Sequence, residues 1–361
     1  MRICLICGEI FAWGKYGGFG RATRTIGREL ARRGADVFAV VPRRGGQGPR
    51  ETLDGITVLG FPRYDLGEAF RLYRACDADL YHSQEPSLGT WLAERARPAR
   101  KHIVTFRDTR DEADWEIEIA LSSRSRLAAR LDRWYENSFW VKQAVRRADA
   151  AYCAAHCVGR KARAVYGLPS DPELLPTPVD VPADVRKADV PTVCYVARLD
   201  RRKRPELFFE LARRFPEIRF VAAGIAQDPG WSAQLEARYA RLPNVEYRGF
   251  LDQFGTDEVR QVFERSWVLV NTSAREGLPN SFLEAAAHRC AILSQVDPDG
   301  FATRFGHCAA SGDFATGLRH LLENGRWRGL GEAGAEFVRR NFEMDLAMRR
   351  HMDAYARQLG G

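Results

Sequence analysis

A chain of 361 residues exceeds the size at which one hydrophobic core stops growing, so two domains of roughly 150 to 200 residues are expected. With 45% hydrophobic and 28% charged residues, and no apolar run near the ~20 residues of a membrane-spanning helix, it reads as soluble and globular. A net charge of +8 raises nucleic acid as a partner, but only six of the 55 basic residues are lysines. Neither the aromatic interleaving of an RNA-binding sheet nor a helix-turn-helix signature accompanies them, so no nucleic-acid partner is expected.

The opening run, Met1-Arg-Ile-Cys-Leu-Ile-Cys-Gly, lacks the longer apolar core and cleavage site of a signal peptide, which indicates the cytoplasm. Eight cysteines scattered through apolar runs suit reduced thiols packed as small hydrophobes. Ile3 to Cys7 reads as a buried strand. A loop with Gly14, Gly17, Gly18 and Gly20 follows, then a helix from about Arg21 to Arg33 ended by Gly34, and a strand from Val37 to Val41. Further strands are expected at Ile56 to Leu59, Leu80 to His82 and Ile103 to Phe106, the alternation of a parallel α/β sheet. Residues 108 to 147 interrupt it with a helical stretch rich in Arg and Trp, and Ala150 to Cys153 resumes the sheet. Cys153, His156 and Cys157 share one helical turn, but no second pair at zinc-site spacing follows, and no metal is expected.

The proline-rich run around Pro176, Pro178 and Pro182 reads as the interdomain linker. A second α/β series follows, with strands at Val193 to Ala197, Ile218 to Ala223, Val245 to Tyr247, Val268 to Asn271 and Ala291 to Ser294. Helices are expected at Pro205 to Arg214 and Trp231 to Arg241, and the tail from Arg326 to Leu359 reads as helical with a break near Asn341. The fold class is therefore α/β, two Rossmann-like, doubly wound sheets. The expected division is 1–182, then 183–340, with 341–361 a helix crossing back to the first domain. Ligands of such sheets bind at the carboxyl ends of the strands.

Three stretches fall at such ends. The Gly17-Gly18-Phe19-Gly20 loop serves equally as a structural tight turn or as a ligand loop, and its paired glycines depart from the dinucleotide G-x-G-x-x-G. Arg198 and Lys203, in Ala197-Arg-Leu-Asp-Arg-Arg-Lys-Arg-Pro205, flank a strand-to-helix loop where two cations suit a diphosphate; a solvated basic turn reads as well from the residues alone. The third stretch places Glu276 and Glu284 on either side of Gly277-Leu278-Pro279-Asn280 and a helix N-terminus. Carboxylates suit sugar hydroxyls and helix amides suit phosphate, against the plainer reading of a loop acid and a charge complementing a helix dipole.

Glu276-Gly277-Leu278-Pro279 with Glu284 at the eighth position resembles the E-x7-E motif of the retaining glycosyltransferases of family 4, and the "LLPTPVD", "YVARLDRRKRP" and "NVEYRGF" runs occur in the family's order. The resemblance implies a GT-B fold, with two Rossmann-like domains facing across a cleft. It implies a metal-independent hexosyltransferase without a cofactor, a nucleoside-diphosphate sugar as donor, and UDP ahead of GDP. Glu276 would hold donor-sugar hydroxyls, Glu284 the ribose, and Arg198 and Lys203 the diphosphate. The amides of Gly277 to Asn280 would lie by the sugar and diphosphate, the backbone at Gly249, Phe250 and Leu251 by the base, and Gly17 and Gly18 by the transferred sugar. The acceptor would be a glycan, a lipid-linked molecule or a small molecule. A noncatalytic nucleotide-sugar-binding or scaffold protein of the same fold is the alternative, and an epimerase on that fold lacks support from the motif.

Three departures stand out. Arg107-Asp108 occupy the place of a His-Asp or His-Glu pair, leaving them an electrostatic contact with donor or acceptor, because guanidinium is not a proton shuttle near neutral pH. His288-Arg289-Cys290-Ala291 stand where Gly-x-Pro is usual, and "DPDGFATRF", with Asp299 and Gly300, stands for Gly-Gly-x-x-Glu. Seven basic residues interleave with Leu127, Leu131, Trp134 and Phe139 between Arg124 and Arg147, which suits a packed helix with solvated arginines or weak peripheral contact with a membrane.

Overall fold

The computed structural model describes residues 1–122, 125–226, 228–239 and 242–360; the expected helical boundaries at Arg124 and Arg241 lie outside them. The chain divides into two compact units: Met1–Asp111 with Arg130–Pro178 and Met344–Gly361, and Glu112–Ala129 with Val179–Glu343. It changes unit at Pro178, within the proline-rich run.

The sheet of the first unit has eight strands: β1 (Arg2–Ile6), β2 (Asp36–Pro42), β3 (Arg50–Leu53), β4 (Ile56–Phe61), β5 (Leu80–Ser83), β6 (Lys101–Phe106), β7 (Ala150–Cys153) and β8 (Glu173–Leu174). Their order is β3-β4-β2-β1-β5-β6-β7-β8, parallel except for β3, which is antiparallel to β4. The central strands are almost continuously apolar because both faces are covered, as parallel sheets require. Helix Gly18–Arg32 buries Ala22, Ile26 and Leu30, one stripe at four-residue spacing, and starts earlier than its glycine-rich first turn suggests. The closing helix Met344–Leu359 packs Met348, Ala354 and Tyr355 into the core with Ile3, Leu5 and Leu175. Tyr355 OH lies 2.8 Å from His82 Nδ1, so this remote segment is fixed by a polar contact as well as by area.

The second unit carries a wholly parallel sheet of β9 (Thr192–Val196), β10 (Arg219–Ala223), β11 (Val245–Gly249), β12 (Val268–Asn271), β13 (Ala291–Ser294) and β14 (Gly306–Cys308), in the order β11-β10-β9-β12-β13-β14. Phe208, Phe220 and Trp327 fill one face; Phe263, Phe282 and Phe301 fill the other. Strand order reverses between β9 and β12 here, and between β1 and β5 in the first unit. Such reversals open the crevices where doubly wound sheets take ligands. Residues 112–129, expected in the first domain, group with the second unit, whose Arg202 and Arg275 pair with Glu118 and Asp114. Among the described residues, no helix is long and apolar enough to cross a membrane, and no group of three or more His, Cys, Asp and Glu is placed to hold a metal ion.

Candidate active site

At the carboxyl end of β9 the chain makes a one-turn 3-10 helix, Arg201–Lys203. Asp200 caps it by accepting from the Lys203 amide at 3.2 Å. Arg204 then takes a left-handed conformation, φ 44°, and Pro205 opens helix Pro205–Arg214 at a position where a proline loses no hydrogen bond. The loop after β12 is sewn to this turn. Thr272 Oγ1 lies 2.7 and 2.9 Å from the Lys203 and Arg204 carbonyl oxygens, which share its one proton, and the Ala274 amide donates to Arg202 O at 3.0 Å.

Those bonds set Lys203 beside Glu276, and their side chains form an ion pair with only 14% and 13% exposure. Burial pushes the Glu276 carboxyl up, but Lys203, Ser273 and Arg202 outweigh it and hold the group below the ordinary carboxylate range. The two residues expected on different parts of one ligand are thus each other's partner. Arg198 lies 3.4 Å from Asp200 and stays 31% exposed.

Gly277, Leu278 and Pro279 lead into helix Asn280–Ala287, whose N-cap is Pro279, at φ −63° and ψ 133°. Proline has no side-chain acceptor, so no side chain at that position caps the helix. Glu284 is half-buried one turn further on. On the neighbouring loops Gly249 needs its left-handed φ of 64°, Phe250 is 37% exposed and Leu251 packs on the core beneath. Gly224 closes β10 so tightly that an added Cβ would sit 1.8 Å from Ala197 O. The backbone bearing Arg198 therefore rests against a glycine.

The departure after Glu284 has a structural account. Helix Asn280–Ala287 ends in a Schellman motif, with the Cys290 amide bonded to Ala285 O at 2.9 Å and the Arg289 amide to Ala286 O at 2.8 Å. Arg289 holds the left-handed position, φ 58°, that glycine usually fills, and its guanidinium donates to Ala183 O at 3.2 Å. His288 Nδ1 donates to Glu284 O at 2.8 Å, and burial lowers its pKa. Arg289→Gly is expected to relieve backbone strain, offset by glycine's entropy and the lost bond, for a net gain within about 1 kcal/mol. A urea titration measures it, and a loss above that size would show that the side chain carries stability. Asp299 and Gly300 both lie at positive φ, 54° and 69°, in the turn before helix Phe301–Phe305.

In the first unit Gly17 is the N-cap of helix Gly18–Arg32, and Gly18 is its first residue. An added Cβ on Gly17 would meet Glu9 Oε1 at 2.0 Å, and that oxygen accepts from the Gly20 amide at 3.1 Å. The close approach that Gly17 permits is to the chain's own carboxylate, at the positive end of the helix. Arg107, at the carboxyl end of β6, is only 6% exposed. Its Nη2 donates to Gln84 at 2.7 Å and its Nη1 to Thr177 at 3.0 Å. Its amide and that of Asp108 donate to Glu85 Oε2, at 2.7 and 3.2 Å. Burial lowers Arg107 to about 10, leaving it charged at neutral pH, and raises the Glu85 carboxyl to about 8. Asp108 pairs with Arg110 at 3.3 Å.

Thr272, Glu9, Arg202 and Arg275 are not among the residues that the sequence pattern singles out. Arg202 Nη1 and Arg275 Nη1 both lie 2.6 Å from Glu118 Oε1, and Arg275 Nε lies 3.3 Å from Asp114. Only the arginine immediately before Glu276 offered a signal; its partners are more than 150 residues away.

Two family models match the chain: Glycosyltransferase Family 4 over residues 16–182 and Glycosyl transferases group 1 over residues 190–324. The chain belongs to the family 4 glycosyltransferases, and it is a glycosyltransferase of the type that uses nucleotide sugars. No curated protein matches its sequence. Among solved structures it is similar to sucrose-phosphate synthase from Thermosynechococcus elongatus, with TM-score 0.73 and 18% identity over 99% of this chain and 98% of that one. HepE of Anabaena in complex with UDP-glucose gives 0.71 and 13% over 99% of each chain. A glycosyltransferase from Rickettsia africae gives 0.70 and 13% over 99% and 98%. At these identities the likeness shows the fold, which is GT-B.

Proposed function

We propose that the protein is a retaining hexosyltransferase that moves a sugar from a nucleoside-diphosphate donor to a hydroxyl acceptor, working in the cytoplasm without a cofactor. The observation that carries this reading is the buried Lys203–Glu276 pair at the strand-order reversal between β9 and β12. A donor entering there meets a cation for its phosphates and a carboxylate, ionised because Lys203 faces it, for its sugar hydroxyls. Arg198 and the backbone N–H groups of Gly277, Leu278 and Asn280 add positive potential toward the diphosphate, and Glu284 takes the ribose. Phe250, partly exposed beyond Gly249, offers the base a ring face.

Charge accumulates on the departing diphosphate as the glycosidic bond breaks. Fixed cations aimed there stabilise the transition state more than the bound donor, and so no metal ion is required. The leaving phosphate takes the acceptor's proton, and the new bond forms on the face it vacates. HepE is named in complex with UDP-glucose, which supports a UDP-sugar ahead of a GDP-sugar.

A thermal-shift screen of UDP-, GDP-, ADP- and TDP-sugars tests the reading. A donor at ~100 times its Kd adds about 2.7 kcal/mol of stability, a rise of a few degrees. The expected result is a shift with one UDP-sugar, followed by slow hydrolysis of that donor by the purified chain. Binding without turnover under any acceptor would favour a noncatalytic binding protein.

A further inference from the structure

Arg107 is a buried cation without a counter-ion. The residue is 6% exposed, and it forms no ion pair among the described residues. The acceptors its guanidinium meets, Gln84 Oε1 at 2.7 Å and Thr177 Oγ1 at 3.0 Å, are neutral, and its buried Nε bonds to no acceptor. An ion taken out of water with no opposite charge is costly to a fold.

The surroundings do not supply the missing charge. Glu85 is near enough to act on Arg107, but its Oε2 accepts from the Arg107 and Asp108 amides and burial keeps its carboxyl mostly protonated at neutral pH. Asp108 is taken by Arg110, 3.3 Å away. His82 and His351, within the guanidinium's field, stay neutral because burial and Arg107 itself both lower them. Burial keeps the proton on Tyr355 as well.

This charge stands where the first sheet reverses its strand order. The Gln84 amide donates to Ile6 O at 2.9 Å, closing the seam between the carboxyl ends of β1 and β5, and Gln84 Oε1 orients Nη2 of Arg107. Arg107 itself follows the last residue of β6. Such a reversal opens the crevice in which a doubly wound sheet takes its ligand. Thr177 fixes the other Nη, so the planar fork is held in place before any ligand arrives.

We infer that the crevice of the first unit binds the anionic end of the acceptor, a carboxylate or phosphate group, with Arg107 as its counter-charge. The anionic class follows from the unmatched guanidinium. That the anion belongs to the acceptor rests on the transferase reading above.

Hydrogen exchange of the full chain tests it, at constant ionic strength and with no nucleotide sugar present, under titration with glucuronate, glycerophosphate, glucose, glycerol and orthophosphate. The expected result is slower exchange of the backbone around Glu85 and Arg107 with glucuronate or glycerophosphate, and no change with glucose or glycerol. Arg107→Gln should weaken that response at least ~10-fold, the value of a hydrogen bond to a charged group. Arg107→Lys, which keeps the charge but not the fork, should weaken it less. Without ligand, Arg107→Gln should melt no lower than the wild type, since it removes a buried charge and strands no carboxylate. No response to either charged hydroxyl compound, or an equal response in Arg107→Gln, overturns the assignment, and a lower melting point with the response retained makes Arg107 a structural stitch. Orthophosphate acting as strongly as the charged hydroxyl compounds assigns the seat to a free ion and overturns the acceptor half. Failure of the donor reading would show separately, as nucleotide sugars that leave the melting temperature unchanged.

Discussion

Lys203→Ala is expected to lower kcat/KM for sugar transfer by about 10³-fold, the loss that follows removal of one fixed donor aimed at developing charge, while the chain stays folded. The residue lies in a short turn whose backbone is held by Asp200 and Thr272, so losing the ammonium leaves the turn intact. What changes is Glu276. Its carboxyl sits below the ordinary range only because Lys203, Ser273 and Arg202 outweigh burial. With Lys203 gone burial dominates, and the group moves up.

The sign of the pH effect follows. In the wild type the folded value is depressed, so the pair's stabilisation is present above the unfolded value of about 4.3 and lost as pH falls through the folded one. In Lys203→Ala the folded value is raised, so stability is lost as pH climbs past about 4.3. The gap in melting temperature between the two proteins should therefore widen from pH 4 to pH 7. Lys203→Arg keeps the charge but not the compact ammonium, and should recover part of the activity. Full transfer activity in Lys203→Ala would remove the residue from the site, and a pH-independent gap would show that the pair is broken in solution.

Much of the scaffold was legible because apolar runs bounded by Pro, Gly and Asp carry their own limits. Ala150–Cys153, Pro205–Arg214, Val268–Asn271 and Ala291–Ser294 begin and end where pattern and punctuation place them. The short strands β3, β8 and β14 were not, because Arg50–Leu53, Glu173–Leu174 and Gly306–Cys308 are two to four residues of mixed polarity that pair only at sheet edges or next to them. Helix Gly18–Arg32 hides its first turn in glycines, and what stabilises that turn is a carboxylate from Glu9.

The donor loops could be found as neighbours of one ligand from residue type and spacing. That Lys203 and Glu276 touch could not, because their juxtaposition depends on a Thr272 hydroxyl reaching a turn 69 residues away in sequence. Residues 112–129 show the same limit from the other side. Their helical pattern is local, but their ion-pair partners are arginines at 202 and 275, remote in sequence.

Arg275→Met is expected to weaken that attachment. The guanidinium is 5% exposed and meets the Asp114 and Glu118 side chains, themselves 9% and 17% exposed, while Arg202 reaches the same Glu118 oxygen. Methionine fills much of the volume but withdraws a cation from two carboxylates that stay largely out of water. Breaking one side of such a cluster costs about 3 to 5 kcal/mol. Helix Glu112–Ala120 carries both carboxylates, so the loss should appear there as local opening. Its amides should exchange roughly 100-fold faster or more, while those of β9 and β12 keep their protection. The double-mutant cycle with Glu118→Met should return a coupling of about 1 kcal/mol or more for their direct pair, while Asp114 still engages Arg275 and Arg202 still engages Glu118 in the single mutants. Exchange unchanged in 112–120 would mean that apolar packing, with Trp115 buried at 3%, holds the segment and the ion pairs only decorate it. Global destabilisation with no local signature would make the cluster part of the unit's core rather than a clasp on one helix.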